Sequence, residues 1–303
     1  MIALVAVAAS GYPGKKRSQI HSIVRRGKRA TIPIVRDTDA VQPLNLLRRR
    51  AHLNILFLWL TTVALLLSML MLHSKEAQNT MKNARILMVV TSAAKMPNGE
   101  PTGLWLEEFA VPYEVFKGAG AAITVASPRG GSAPIDPRSQ PKGDETARWL
   151  EASEKLGGTL PLASVKATDF DAIFLPGGHG TMFDFPDNAE LMRLLRDFDA
   201  AGKPIAAVCH APAALVTAVD SAGALLVRGK PVTGFTDSEE RAVKLENQVP
   251  FLLETRLREL GAQFKGGPDF QPHTQRAGRL ITGQNPASSD PAARLLLEAL
   301  SEN

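Results

Sequence analysis

The chain has 303 residues, 45% of them apolar, enough for one large domain or two modest ones with a buried core, and this excludes wholesale disorder. Its formal net charge of +5 is uneven: residues 1–80 carry 12 Lys/Arg against 3 Asp/Glu, whereas residues 81–303 carry 23 against 27. The larger part is therefore mildly acidic and lacks a basic stripe able to follow a phosphate backbone, so no nucleic-acid partner is expected. A single cysteine, Cys209, excludes an internal disulfide and fits a reducing compartment.

The first eighty residues form a basic extension. Within it, residues 55–72 (ILFLWLTTVALLLSMLML) carry no charge and follow Arg48, Arg49 and Arg50. That length suits a single transmembrane helix with the N-terminus in the cytoplasm. A signal peptide fits less well, because the basic region is long and no small-residue cleavage site follows His73. The competing reading starts translation at Met81, which opens directly onto a strand and makes the protein cytoplasmic. Contact with a membrane is expected only if residues 55–72 are expressed.

Residues 81–303 read as one catalytic domain. Arg85–Thr91 is a continuous apolar run, as in a strand buried on both faces. Leu106, Phe109, Ala110, Tyr113 and Phe116 have helical spacing that stops at Gly118 and Gly120, before the β-branched run at Ile123–Val125. The tract from Arg129 to Lys142, with three prolines, reads as a surface loop. Further strands are expected at Ala172–Leu175, Ile205–Val208, Pro231–Gly234 and Arg279–Thr282. Helices are expected at Ala189–Ala200, Phe251–Leu260 and Pro286–Leu300. This alternation predicts an α/β fold with a mostly parallel sheet sandwiched by helices, which places ligands at the carboxyl ends of the strands.

Three segments there carry chemistry. Val208-Cys209-His210-Ala211-Pro212 reads as strand, sharp turn and helix start. At such a turn free N–H groups and the helix dipole favour a thiolate, although a lone cysteine after an apolar strand also fits the core. Gly177, Gly178 and His179 follow another strand, and their backbone donors suit an oxyanion or substrate site; neither phosphate-loop fingerprint matches. Of Glu107 and Glu108, one points inward beside apolar neighbours, where burial raises a carboxyl pKa and lets it exchange a proton with a thiol. The domain histidines His179, His210 and His273 are too scattered for a zinc spacing, so neither a metal nor another cofactor is expected.

Together TGLWLEEF, LPGGHGTMFDFP, AAVCHAP, GFTDSEE and LITGQNPASS, in this order over about Ala84–Leu300, resemble the ThiJ/PfpI superfamily. The resemblance is greatest to its glutathione-independent glyoxalase (glyoxalase III) and heat-shock chaperone branch. It implies a flavodoxin-like fold of the class I glutamine amidotransferase type and conversion of methylglyoxal to lactate, for dicarbonyl detoxification under stress. The substrate is then a small dicarbonyl, and a homodimer is compatible with the family. The implied catalytic residues are Cys209 as nucleophile, His210 as its partner, Glu108 as acid and Glu240 as third member, with Asp237 as rival. Gly178 and His210 N–H groups would hold the oxyanion. The base that activates the thiol stays open between His210 and Glu108. Three alternatives share the family: a holdase chaperone, a protein deglycase, and an amidotransferase-like hydrolase or peptidase. The last fits less well, because Ala207 and Ala211 occupy the glycine positions of the glutaminase elbow.

Overall fold

A computed structural model describes Trp59, residues 62–69 and residues 83–302. The chain divides into two units, Met1–Val63 and Ala64–Asn303, and the fold below is that of the second. Of the apolar stretch 55–72, the described residues are helical, and among the described residues no helix is long and apolar enough to cross a membrane. The remainder of that stretch, and the expected boundary between residues 80 and 81, lie outside the described residues.

Among the described residues nine strands are formed: β1 Arg85–Val89, β2 Ala122–Ser127, β3 Leu160–Pro161, β4 Ala172–Leu175, β5 Ile205–Val208, β6 Pro231–Val232, β7 Gln263–Phe264, β8 Thr274–Ala277 and β9 Leu280–Gly283. Seven make one sheet in the order β3-β2-β1-β4-β5-β9-β8, parallel throughout except for the antiparallel edge pair β8 and β9. The expected strand at Pro231–Gly234 does form, but as β6 it pairs with β7 in a separate two-stranded sheet.

Side chains alternate across the central strands with period two, and both faces are covered. Ile86 and Met88 of β1, Phe174 of β4 and Val208 of β5 join one core with the helices Leu106–Gly118 and Ser289–Ser301. Leu87 and Val89, Ile173 and Leu175, and Ile205 and Ala207 join the opposite core with the helix Ala189–Ala200. That helix starts where Asn188 accepts the Leu191 N–H, and it buries Leu191, Leu194, Leu195 and Phe198.

Two expectations are corrected. The segment after Cys209 is a six-residue 3-10 helix, Ala211–Val216, so the thiol does not face the end of an α-helix. The tract from Arg129 to Lys142 is not wholly a surface loop. It buries Ala133, Asp136 and Ser139, because Asp136 caps the short 3-10 turn Pro137–Ser139 and bonds Arg138 and Thr102.

Candidate active site

The site lies where β4, β5 and β9 end side by side. Cys209 leaves β5 at φ +57°, a left-handed conformation that costs a residue with a side chain on the order of 1–2 kcal/mol. Neighbours hold it there: the Cys209 N–H donates to Gly283 O at 2.9 Å, and its carbonyl accepts from Phe235 N–H at 2.8 Å. The sharp bend turns the sulfur back over the glycine loop that follows β4.

That loop needs its glycines for close approach. A Cβ on Gly177 would lie 2.6 Å from Val208 O and 2.7 Å from Glu108 Oε2. On Gly178, at φ +102°, it would meet Gly103 O and Trp105 N at 2.4 Å. The intimacy brings the start of the 106–118 helix against the loop, so that Gly177 N–H donates to Glu108 Oε2 at 2.8 Å and Trp105 N–H to Gly177 O at 3.1 Å. Glu108 is the inward carboxyl of the pair and is fully buried, whereas Glu107 is half-buried. Gly177 is accordingly no substrate donor: its N–H is committed to Glu108, and it does not line the pocket. The Gly178 N–H instead favours the thiolate form of Cys209.

On the other side of the thiol, His210 Nδ1 lies 3.2 Å from Cys209 Sγ, and His210 Nε2 lies 2.7 Å from Glu240 Oε2. Glu240 sits on the helix Asp237–Ala242, whose start is fixed by a capping box between Thr236 and Glu239. Its other oxygen, Oε1, bonds His179 Nε2 at 2.8 Å, and the two imidazole rings lie 4.0 Å apart. Asp237, the rival third member, instead accepts from Thr255 at the surface. Arg138 Nη2 reaches His179 Nδ1 at 3.4 Å and is clamped by Asp136 through two further contacts of 2.6 and 2.9 Å.

The electrostatics follow from burial. Burial pushes Glu240 up, yet the attraction of His210 and the hydrogen bonds from both histidines outweigh it and hold the carboxylate well below the usual range. An ionised carboxylate only accepts, so both Nε2 atoms carry hydrogens, and His210 presents its other ring nitrogen, Nδ1, to the thiol. Burial, then repulsion from His210, push His179 down to about 4, so it is a neutral donor at pH 7. Burial raises Glu108 to about 8, although the neighbouring Cys209 and the Gly177 N–H act in the opposite direction. Burial and then the neighbouring Glu108 push the Cys209 thiol well up. The expected electropositive niche is therefore reversed, since a buried thiol beside a carboxyl resists ionisation until a base takes its proton.

A pocket of about 180 Å³ opens over the sulfur. Its walls are mostly apolar, with Trp105, Phe235, Val243 and Phe270, and with Arg138, His179 and His210 as polar members. Pockets for drug-sized ligands run to ~300–1,000 Å³, so this one suits a molecule smaller than those. Arg138 and Phe270 were not singled out in the sequence. Arg138 is hidden by its proline-rich tract, and an isolated phenylalanine in a polar loop gives no signal. His179, His210 and Glu240 bring donor atoms within 4.8 Å of one another, the set among the described residues that could hold a metal. The spacing argument against such a set thus fails, because the fold joins residues far apart in the chain. As found, each donor is engaged in a hydrogen bond within the set.

Known proteins are similar to this chain in sequence and in fold. A glutathione-independent glyoxalase of Schizosaccharomyces pombe, hsp3101, is 29% identical over 232 residues, covering 71% of this chain and 95% of its own length. The crystal structure of glyoxalase III from Candida albicans superposes with a TM-score of 0.67 at 27% identity, over 73% of this chain and 98% of that one. The 24 kDa Rapid Encystment Protein of Francisella tularensis superposes with a TM-score of 0.68 at 37% identity, over 72% and 99%. The pattern of one family spans residues 103–299, from the segment that carries Glu108 to the last helix, and the chain belongs to that family, DJ-1/PfpI.

Proposed function

We propose that the protein is a glutathione-independent glyoxalase, a lyase that converts methylglyoxal to lactate through a hemithioacetal on Cys209. The observation that carries this is the thiol set between an acceptor and a protonated acid. His210 Nδ1 stands 3.2 Å from Sγ on one side, and Glu108, with its pKa near 8, stands on the other. The similarity to glyoxalases over most of the chain supports the same reading.

The proton balance closes on these groups. His210 Nδ1 takes the thiol proton as sulfur attacks the aldehyde carbon, and Glu108 protonates the resulting oxygen. Glu108, now a carboxylate, removes the hydrogen from that carbon while His210 gives its proton to the ketone oxygen, forming an enediol. Glu108 returns its proton to the second carbon and His210 receives the hydroxyl proton of the first, leaving a lactoyl thioester. Water attacks the thioester, giving one proton to Glu108, while the departing sulfur recovers its own from His210. One carbon is oxidised and its neighbour reduced within the same molecule, so no external redox partner enters the balance. Glu240 stabilises the His210 imidazolium throughout, and the Gly178 N–H supports charge at the sulfur.

The pocket's size and the burial of Cys209, 4% exposed, favour a free small dicarbonyl over one carried on a protein, as a deglycase requires. The decisive experiment incubates the full chain with methylglyoxal, without glutathione, and follows both dicarbonyl loss and lactate. Lactate is expected from the wild type and none above background from Cys209→Ala. Turnover is expected to survive a chelator. Dicarbonyl loss without lactate, or lactate from Cys209→Ala, contradicts the scheme.

A further inference from the structure

Phe270 carries two unfavourable features at once. Its backbone is left-handed, φ +58°, a region that disfavours any residue with a Cβ, and its ring stays 46% exposed although large aromatic side chains normally bury. The conformation is enforced from below. The Phe270 N–H donates to Glu239 Oε1 at 2.7 Å, and the same fully buried carboxylate accepts from Asn285 Nδ2 at 2.8 Å and from Thr236 N–H at 3.0 Å. A buried acid thus holds a loop residue in a strained pose whose side chain lies on the rim of the Cys209 pocket. From the reacting centre outward runs an apolar wall: the His210 ring, then Phe235 at 4.4 Å, then Phe270 at 6.3 Å from Phe235. Val243, 39% exposed, lies on the same rim.

We infer that Phe270 determines specificity by packing on the hydrocarbon substituent of the dicarbonyl, so that 2-oxoaldehydes with side chains longer than methyl are the preferred substrates. The inference rests on the glyoxalase reading and names the substrate class of that site. A substituent on the ketone carbon projects away from sulfur, and the apolar wall is what the pocket offers it. The pocket's cation, Arg138, is already clamped by Asp136. A fully buried methylene is worth about fourfold in binding, so at a half-exposed rim roughly twofold per methylene follows. For 2-oxohexanal against methylglyoxal, three methylenes apart, that gives a kcat/KM ratio of about tenfold.

The test compares the two substrates in wild type and in Phe270→Gly, using the full chain. Glycine accepts φ near +58° without strain, so this variant relaxes the loop while deleting the rim. The expected result is a Tm at or above wild type together with a substrate ratio that falls from about ten to near one. If the glycine loop loosens, Phe270→Asn, also tolerant of this conformation, repeats the comparison. A wild-type ratio near one, or a ratio that persists in both variants, overturns the inference. If neither substrate yields its 2-hydroxy acid, the glyoxalase reading is what has failed, and the wall is then read by protection of Cys209 from iodoacetamide. Protection by 2-hydroxyhexanoate about tenfold better than by lactate, lost in Phe270→Gly, upholds it; equal protection overturns it.

Discussion

Glu108 and Cys209 share a buried space in which burial raises the carboxyl, and burial together with the Glu108 charge raises the thiol, so the pair holds protons that a solvated pair would release. This makes Glu108→Gln informative twice over. The variant has no carboxyl to carry the proton between the two carbons, and lactate formation is expected to fall by about 10²–10⁴. It also lacks the charge that opposes the thiolate, so the pH midpoint for alkylation of Cys209 by iodoacetamide is expected to move down. An unchanged or higher midpoint would show that Glu108 is not what restrains the thiol. The apolar residues Leu106, Phe109 and Ala110 made one inward carboxyl legible in the sequence. Its partners were not, because the Gly177 N–H that orients it lies 69 residues away and only the fold joins them. Arg138 was illegible for a related reason: a proline-rich composition marks a loop but does not reveal that Asp136 inside it is fully buried.

At the scale of elements, the site depends on two strand ends lying closer than side chains normally allow. Gly177→Ala would set a Cβ against Val208 O and Glu108 Oε2, the first a rigid backbone atom and the second the carboxyl that must face the thiol. Displacement of Glu108 by about 1 Å is enough to lower kcat/KM for methylglyoxal roughly 100-fold, and Tm is expected to fall as well. Gly157→Ala, where nothing lies within 4 Å, is the control and is expected to stay within about 0.5 kcal/mol of wild type in thermal denaturation. Strands of this kind were readable in advance. Ala172–Leu175 and Ile205–Val208 are unbroken apolar runs because parallel strands bury both faces, and the structure gives the same bounds. Two other strands were less legible, one in its existence and the other in its partner. Thr274–Ala277 is a half-buried antiparallel edge strand, with sequence TQRA, that has no apolar run to betray it. Pro231–Val232 was visible as a strand, but an apolar run does not say which sheet it joins.

Across the whole molecule, the buried titrating groups predict how stability varies with pH. The folded His179 has its pKa pushed down to about 4 from 6.5, so its contribution is present above 6.5 and is lost as pH falls toward 4, by about 3 kcal/mol. Glu240, held below its ordinary 4.5, is likewise lost in acid, as pH falls below 4.5. Glu108 has the opposite sign, because its pKa is raised to about 8 from 4.5. An unfolded chain releases that proton above 4.5 while the folded one keeps it, so stability declines from pH 4.5 to pH 8 by up to roughly 5 kcal/mol. Between 4.5 and 6.5 the His179 and Glu108 slopes oppose and largely cancel. These groups therefore give the wild type a plateau there, a steep loss below it and a gentler decline up to pH 8. Glu108→Gln deletes the Glu108 slope from pH 4.5 to 8, so the plateau becomes a rise and the alkaline decline disappears. Its denaturation midpoint is expected to match wild type near pH 4.5 and to exceed it by a margin that widens steadily to pH 8. Chemical denaturation of both proteins across pH 4 to 9 checks this. A constant offset between the two curves would mean that Glu108 is already ionised in the folded protein at neutral pH, which removes the acid the mechanism requires.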